Sequence, residues 1–591
     1  MNYRQKAMIE SLFESIVGIV IIGGIMLGIE FHYGFFGISF LAILALLILK
    51  RSKNKTQRIT MINEIKSHWG KEHKEKREFV HIEKMYRFLI EREEYSFNID
   101  DITWEDLNMN EVFSKIDHTK SLPGMQYLYN MLRRPVFDNN ELEKRNEIIS
   151  SLQENKNISQ GIQYELSKLG KKKGSNIFLY FENGINVDTK LAIIYKTLSY
   201  IPFLILILFF FSLPIAFFAL ITIIGVNTII YQTNKYKIYE EMETFMYLEN
   251  LISCAENITK QEIDILDLEQ SEMKALLKKL KSIKSNVAKI NANERFGSEI
   301  EILIHYYNMI VLREPNIFYK TMKLMNKYKE DIFRLYVLVG KIDAYISIAS
   351  YRDSLKYYCK PDLKDTGMKF YLKADELYHP LLDNPVPYSF EMNNIGALIT
   401  GSNASGKSTF LRTIGINSIF AQTINLVLAE NYESSYFKLL TSIGTVDNVV
   451  RGDSYFMAEA KSLKRIIDTL DVNQPVLCIL DEIFRGTNTA ERISAALEAL
   501  NYMIERNCCV VAATHDLELT SLVSDKYENY HFQESIIDDD IIFDYILRKG
   551  PCTSRNAIAI LKYLNYPKEI YENALRRAET YLSYRGDYIL D

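Results

Sequence analysis

Residues 197–234 carry no charged side chain. No other feature limits the fold of this chain as strongly, because a helix that crosses a bilayer's hydrocarbon core needs about 20 apolar residues. A second run, residues 15–49, holds one acidic residue, Glu30, and no Lys or Arg. Each run is too long for one comfortable span and fits two short ones. Each is broken near its middle, at Glu30-Phe31-His32-Tyr33-Gly34 and at Ser212-Leu213-Pro214. The pattern predicts two transmembrane helical hairpins, the first over 1–55 with spans at about 12–29 and 33–49, the second over 191–234.

Two alternatives compete with this reading. The first run could be a signal peptide, but it lacks a small-residue cleavage site and continues into a second apolar stretch. The second could be a buried core hairpin, but its Phe-Leu-Ile-Leu-Ile-Leu-Phe-Phe-Phe segment is apolar all round, as lipid-facing helices are. Cations flank both runs: Arg4 and Lys6, then Lys50, Arg51, Lys53, Lys55 and Arg58; Lys171, Lys172 and Lys173, then Lys235 and Lys237. All four flanks are therefore expected on the cytoplasmic side.

The remaining chain reads as soluble and intracellular. Its 591 residues imply several domains, and a net charge of −5 gives no global positive field for nucleic acid. The six cysteines show no CxxC and no framework spacing, so they read as reduced thiols without a zinc site. Residues 56–97 are charged and helical in pattern, a linker helix rising from the membrane. Residues 98–190 and 235–365 read as two parts of an all-α core. In the second part, "EMKALLKKLKSIKSNVAKI" sets Leu276, Leu280, Ile283, Val287 and Ile290 apart from Lys274, Lys278, Lys281 and Lys284. That lysine face could meet phosphate or lipid, or could be the solvated side of a core helix.

From 366 to 580 the texture becomes strand–loop–helix, an α/β pattern. "IGALITGSNASGKSTFLRTIG" runs an apolar strand into Gly401-x4-Gly406-Lys407-Ser408 and then a helix, the context of a phosphate-binding P-loop. Successive backbone N–H groups from Gly401, Ser402, Asn403, Ala404, Ser405 and Gly406 would cradle phosphates, with Thr409 in the first helical turn. Lys407 would reach the β- and γ-phosphates, and Ser408 would ligate Mg²⁺. Further on, the apolar strand Val476–Leu480 leads straight into Asp481 and Glu482. Two adjacent carboxylates repel and resist desolvation unless a cation or a chemical task accounts for them. Asp481 would hold Mg²⁺ and Glu482 would deprotonate an attacking water. A third strand, "CCVVAATHD", delivers His515, either as a γ-phosphate sensor or as a packed capping residue.

"ITGSNASGKST", "GDSYFMAEA", "LDEIFRGTNT" and "ATHDLELTSL", in this order and spacing, resemble the MutS family of DNA mismatch-repair ATPases. "LYHP" at 377–380, "FSKIDHTKSLPGMQYLYNMLRRPV" and "KGPCTSRNAIAILKYLNYPKEIYENALRRA" are similar to that family too. The resemblance covers roughly 98–580 outside the second apolar run and is strongest over 371–580. It implies an α/β P-loop ATPase domain of the MutS/ABC type, preceded by an all-α core or lever domain. It also implies a homodimer with two composite ATP sites, and DNA as the ligand of an ATP-driven clamp. Asn403 would contact the γ-phosphate, Ser454 would approach the partner chain's nucleotide, and Arg485-Gly486-Thr487-Asn488-Thr489 would lie at the dimer interface.

The sequence departs from the family pattern in several places. Ser402 and Ser405 stand where the loop usually carries Pro and Gly, and Pro385 matches the aromatic residue that stacks on adenine. The N-terminal mismatch-reading domain with its Phe-x-Glu wedge is expected to be missing. The only such triplet, Phe532-Gln533-Glu534, follows the ATPase motifs in a predicted strand. Residues 581–591 read as a tail. An ABC transporter is disfavoured, because "VRGDSYFMAEA" occupies the place of the Leu-Ser-Gly-Gly-Gln signature. A membrane-bound ATPase switch acting on a protein partner remains an alternative.

Overall fold

The chain is described by a computed structural model. It describes all residues except 1–2, 72–76, 172–176, 186, 262, 292–305, 368, 403–404, 445–454, 471–473, 485–486, 524, 538–539, 552–560, 562–565 and 587–591. Two compact units emerge: Met1–Trp69 with Lys156–Glu165, and Gly70–Asn155 with Leu166–Asp591.

In the first unit, helix α1 (Tyr3–Glu30) packs on α2 (Phe36–His68) across the single 3₁₀ turn Tyr33–Phe35. The break falls where the sequence placed it. His32 Nδ1 accepts a hydrogen bond from Gly34 N at 3.0 Å and fixes the turn. Ser39 Oγ donates to Ile21 O at 2.8 Å and ties the two helices together. Where their side chains are described, these helices are apolar over Val17–Glu30 and Tyr33–Ala45. Four crossing helices were expected. Among the described residues two are long and apolar enough, Thr189–Leu208 and Leu213–Lys235.

The expected linker helix over 56–97 is not one helix. Its first part belongs to α2, which ends at His68 when Trp69 turns extended, and two short helices, Phe79–Ile82 and Lys84–Ile90, follow.

The second unit begins with a helical core. Helices α3 (Asp101–Asp106), α4 (Leu122–Arg133) and α5 (Asn139–Glu154) precede the paired α6 (Thr189–Leu208) and α7 (Leu213–Ile258). Then come α8 (Asp267–Asn291), α9 (Arg313–Lys327) and α10 (Lys329–Arg352). Helix α10 buries nearly every residue from Leu335 onward and packs on α4 and α5. Its Asp343 accepts from Lys120 N, Ser121 N and Ser121 Oγ at 3.1, 2.8 and 2.5 Å, which caps the start of α4. The domain break expected at 234/235 is no break in the backbone. After Gly225 no Gly or Pro interrupts α7, so one helix continues from the apolar run into the core. On α8, Leu276, Leu280, Ile283, Val287 and Ile290 are buried as the spacing predicts. Lys274, Lys278 and Lys281 are exposed, while Lys279 and Lys284 pair with Asp331 and Glu256 at 2.6 and 2.5 Å.

The α/β region holds twelve strands among the described residues. β1 (Asp362–Lys364), β2 (Tyr371–Leu377), β3 (Tyr388–Asn393) and β5 (Asn431–Ser435) form one sheet in the order β1-β5-β2-β3. β4 (Gly396–Thr400), β6 (Lys438–Ser442), β7 (Val476–Asp481), β8 (Cys508–Ala513), β9 (Tyr527–His531) and β12 (Arg548–Lys549) form a second, ordered β12-β9-β4-β8-β7-β6. β10 (Glu534–Ile537) and β11 (Asp540–Phe543) make a hairpin. Strands β4, β6, β7, β8 and β9 run parallel. β4, β7 and β8 are buried throughout, which explains their unbroken apolar sequence. α11 (Lys407–Thr423) follows β4, and α12 (Thr489–Ile504) lies between β7 and β8 in the chain.

Candidate nucleotide site

Strand register brings the site together. Ala513, the last residue of β8, pairs with Asp481 at the end of β7 and with Ile399 near the end of β4. Three neighbouring strands thus finish at one level, at the carboxyl edge of a parallel sheet where ligands of such sheets bind. The loop after β4, the two acids after β7 and His515 after β8 all emerge there.

The loop needs its glycines. Gly401 and Gly406 have φ of +148° and +111°. A Cβ on Gly401 would lie 2.9 Å from Phe532 O, and one on Gly406 would lie 3.2 Å from the Tyr545 ring. Between them Ser402 Oγ donates to Glu534 Oε2 at 2.9 Å. Phe532 and Glu534, from the triplet that looks like a mismatch wedge, therefore support the phosphate loop. Ser405 is buried, and its Oγ has no hydrogen-bond partner among the described residues. Lys407 Nζ donates to Gly401 O and Ser402 O at 2.8 and 2.7 Å. Gly406 caps α11, whose first N–H groups face the loop.

The adjacent acids have separate partners, which resolves their apparent repulsion. Ser408 Oγ donates to Asp481 Oδ2 at 2.5 Å. Glu482 Oε1 lies 2.8 Å from His515 Nε2. Glu482 has φ of +59° and Phe484 +61°, a left-handed backbone uncommon for residues with side chains. Glu482 N donates to Ala513 O at 2.9 Å, which holds this turn against β8. Strain of this kind concentrates at functional sites.

A cavity of about 810 Å³ opens on this edge. Of the residues singled out in the sequence, Ser402, Gly406, Lys407, Ser408 and Thr409 line it, with Asp481, Glu482 and His515. Gly401 and Ser405 lie in the loop without lining the cavity. Asn403, Ala404, Ser454 and Arg485-Gly486 lie outside the described residues. Ser408 and Asp481 offer two oxygen donors, a set suited to a hard cation such as Mg²⁺, which takes few protein ligands beside substrate phosphates.

Sequence reasoning missed other lining residues: Leu382, Asp383, Asn384, Val386, Tyr388, Arg412, Ile443 and Tyr545. Arg412 stands four residues after Ser408 on the same helix face, a spacing that could have revealed it. Tyr545, about 43% exposed, comes from beyond β11 and had no local signal. Pro385, expected near the base, is not among the lining residues. His379, from "LYHP", is buried, and its Nδ1 accepts from Leu381 N at 3.2 Å. Burial, then the cations Arg412 and Lys115, push its pKa down to about 4, so the ring stays neutral.

The helical core reaches this cavity directly. Asp106, at the end of α3, accepts from Thr441 Oγ1, Ile443 N and Gly444 N at 2.6, 2.9 and 3.0 Å. Arg412 Nε donates to Asp106 O at 2.8 Å.

Residues 397–581 match the family described as MutS domain V, a stretch that contains the loop, Asp481, Glu482 and His515 but not the lining residues between 382 and 388. Among curated proteins, the chain is 27% identical over 271 residues to the DNA mismatch repair protein MutS of Thermus thermophilus, covering 45% of this chain and 32% of that relative. It is 23% identical over 513 residues to the MutS of Thermus aquaticus, covering 78% of this chain and 60% of the relative. It is 31% identical over 287 residues to the human MutS protein homolog 4, covering 45% and 29%. The chain thus spans about a third of the length of the first of these relatives.

Proposed function

We propose that this chain is a membrane-anchored, MutS-like ATPase that binds ATP with Mg²⁺, hydrolyses it, and uses the cycle to move its helical core as a clamp within a homodimer. The observation that carries the reading is the convergence of Lys407, Ser408, Asp481, Glu482 and His515 on one cavity at the sheet edge. The match to MutS domain V supports it.

Each residue has a task the geometry suits. The Lys407 ammonium, held by two loop carbonyls, exchanges them for β- and γ-phosphate oxygens. Ser408 and Asp481 would hold Mg²⁺, which neutralises developing charge on the phosphates. The Glu482 carboxylate accepts the proton of the attacking water, and His515 orients it through Oε1. Asn403 contacts the γ-phosphate, and Ser454 completes the partner subunit's site. Asp106 transmits changes at Ile443 and Arg412 to α3 and so to the core.

Anchoring rests on α6 and α7, whose most apolar windows are each only 17% buried, unlike the core hairpin of a soluble protein. Basic flanks keep the ATPase and core regions on the cytoplasmic face. DNA is the proposed clamp ligand, on the strength of the mismatch-repair relatives and the exposed Lys274, Lys278 and Lys281. The internal pairing of Lys279 and Lys284 favours a second reading, in which the clamp is a switch for a protein partner.

The deciding experiment measures ATP turnover of the purified full chain with and without duplex, mismatched and branched DNA. DNA-stimulated turnover that weakens steeply with salt is expected. Turnover indifferent to all three DNAs, with no binding at low salt, transfers the clamp to a protein partner. Absence of turnover under every condition overturns the ATPase.

A further inference from the structure

The second apolar run meets polar chain sooner than its length implies. On α7, Asn227 is fully buried and donates to Ile310 O at 2.6 Å. One turn later Tyr231 donates to Glu314 Oε2 at 2.8 Å, and Asn308 donates to the other oxygen of that carboxylate at 3.1 Å. Asn234 donates to Tyr195 Oη at 3.0 Å, tying α7 to α6. Asn316 Nδ2 donates to Tyr195 O at 3.3 Å, and the Tyr195 and Tyr319 rings meet edge to face at 5.5 Å. Asn308, Glu314, Asn316 and Tyr319 belong to α9 and the residues just before it, outside both apolar helices. Placing this carboxylate and the asparagine amides around it in hydrocarbon would be costly. Uninterrupted apolar surface therefore begins after residue 198 on α6, whose carbonyl also accepts from Asn227 at 3.4 Å, and ends before residue 227 on α7, with Ile193, Ile194 and Ile229 exposed apolar side chains beyond those limits.

What remains is short. At 1.5 Å per residue, residues 199–208 rise about 15 Å and residues 213–226 about 21 Å. A hydrocarbon core is about 30 Å thick. The turn is equally telling. It reads Phe209-Phe210-Phe211-Ser212, with Phe210 89% and Phe211 82% exposed, and carries no charge or amide. A turn emerging on the far side would hold those rings in water. The turn of the first hairpin, by contrast, carries Glu30, His32 and Tyr33. Toward the ends of these helices, Lys190 and Lys196 on α6 and Lys235 on α7 are exposed, as is Lys320 on α9, cations suited to headgroups.

We infer that α6 and α7 form a re-entrant hairpin, which enters one leaflet of a bilayer, turns at 209–212 inside the hydrocarbon, and returns to the face it came from. The clamp built from 306–319 lies at headgroup level. The inference rests on the membrane reading above and deepens it: this hairpin inserts without crossing.

The test uses the full chain carrying Phe211→Cys, or Leu206→Cys as a second position, reconstituted in phosphatidylcholine–phosphatidylglycerol vesicles. ATP turnover matching the unsubstituted chain confirms folding, and that chain is also the blank for native thiols. Each added thiol receives an environment-sensitive fluorophore for quenching by lipids brominated at graded depths. In parallel, a membrane-impermeant maleimide is applied from each side. The inference expects strong quenching of the Phe211 label, deepest at the acyl-chain ends, and no maleimide reaction from either side. Maleimide reaction at Phe211→Cys from the face opposite the ATPase domain, with Leu206→Cys the more deeply quenched, shows a crossing hairpin; the inference falls while membrane anchoring stands. No quenching at either position means the hairpin does not enter lipid, and the membrane reading of this segment falls with the inference.

Discussion

Ser408 Oγ and Asp481 Oδ2 lie 2.5 Å apart, joining the first turn of the loop helix to the end of a strand two places away in the sheet. On the function proposed above, the loop and the strand end serve one ligand. Ser408→Ala removes one of the two oxygens offered to Mg²⁺. Losing one charge-assisted contact costs about 1.5–3 kcal/mol, or roughly 10- to 100-fold in affinity. A fluorescent ATP analogue titrated with and without Mg²⁺ should show the metal's contribution shrinking by about that factor.

Ser402 and Glu534 make the loop depend on β10. Glu534→Ala leaves Ser402 Oγ without this acceptor. Nucleotide affinity should weaken by about 3- to 10-fold, as expected for the loss of about 1 kcal/mol. Isothermal titration with ATP checks this, and an unchanged Kd would mean the loop is held by its glycine backbone alone.

Asp106 couples core to ATPase through three donors. Asp106→Ala strands Ile443 N and the Thr441 hydroxyl in a buried setting, while exposed Gly444 N can turn to water, at a cost of roughly 2–4 kcal/mol. Urea unfolding of the purified chain in mild detergent should show a correspondingly lower midpoint. Nucleotide-driven changes in the core, read by limited proteolysis with and without ATP, should be blunted.

His379 sets an acid limit on stability. Its folded pKa, pushed down to about 4, lies below the ordinary value of 6.5, so the unfolded chain binds the proton first. Its contribution is complete above pH 6.5 and is lost as pH falls from there toward 4. Between pH 7 and pH 5 the loss is about 2 kcal/mol at 1.36 kcal/mol per pH unit. His379→Asn, which keeps an acceptor for Leu381 N, should reduce the difference in unfolding free energy between these two pH values by about that amount.

The chemistry was more legible in the sequence than its setting. Gly401, Gly406 and Lys407 stand out because a phosphate loop makes demands on the backbone that few other sequences meet. Asp481 and Glu482 stand out because acids at the end of an apolar strand need a reason. Separate roles for the two acids were readable, but their separate contacts, Asp481 with Ser408 and Glu482 with His515, were not, since these depend on a left-handed turn at Glu482 and on strand order. Tyr545 arrives from a hairpin beyond the last parallel strand, where nothing local marks it. In the helices, the break at Glu30-Gly34 was readable from polar residues interrupting an apolar run. The polar clamp on Asn227 and Tyr231 was not, because Ile310 and Glu314 lie far along the chain and only the fold brings them to α7.

The central claim is that Glu482 serves a nucleoside triphosphate seated on the loop at 401–408. It is tested most directly by comparing Glu482→Gln with the unsubstituted chain for Mg-ATP binding and steady-state phosphate release. Glutamine keeps the shape and can still meet His515 but cannot take a proton, and general-base contributions run to about 100-fold or more. The account predicts ATP bound with near-normal affinity and turnover lowered by at least that factor. Phosphate release at the unsubstituted rate would contradict it.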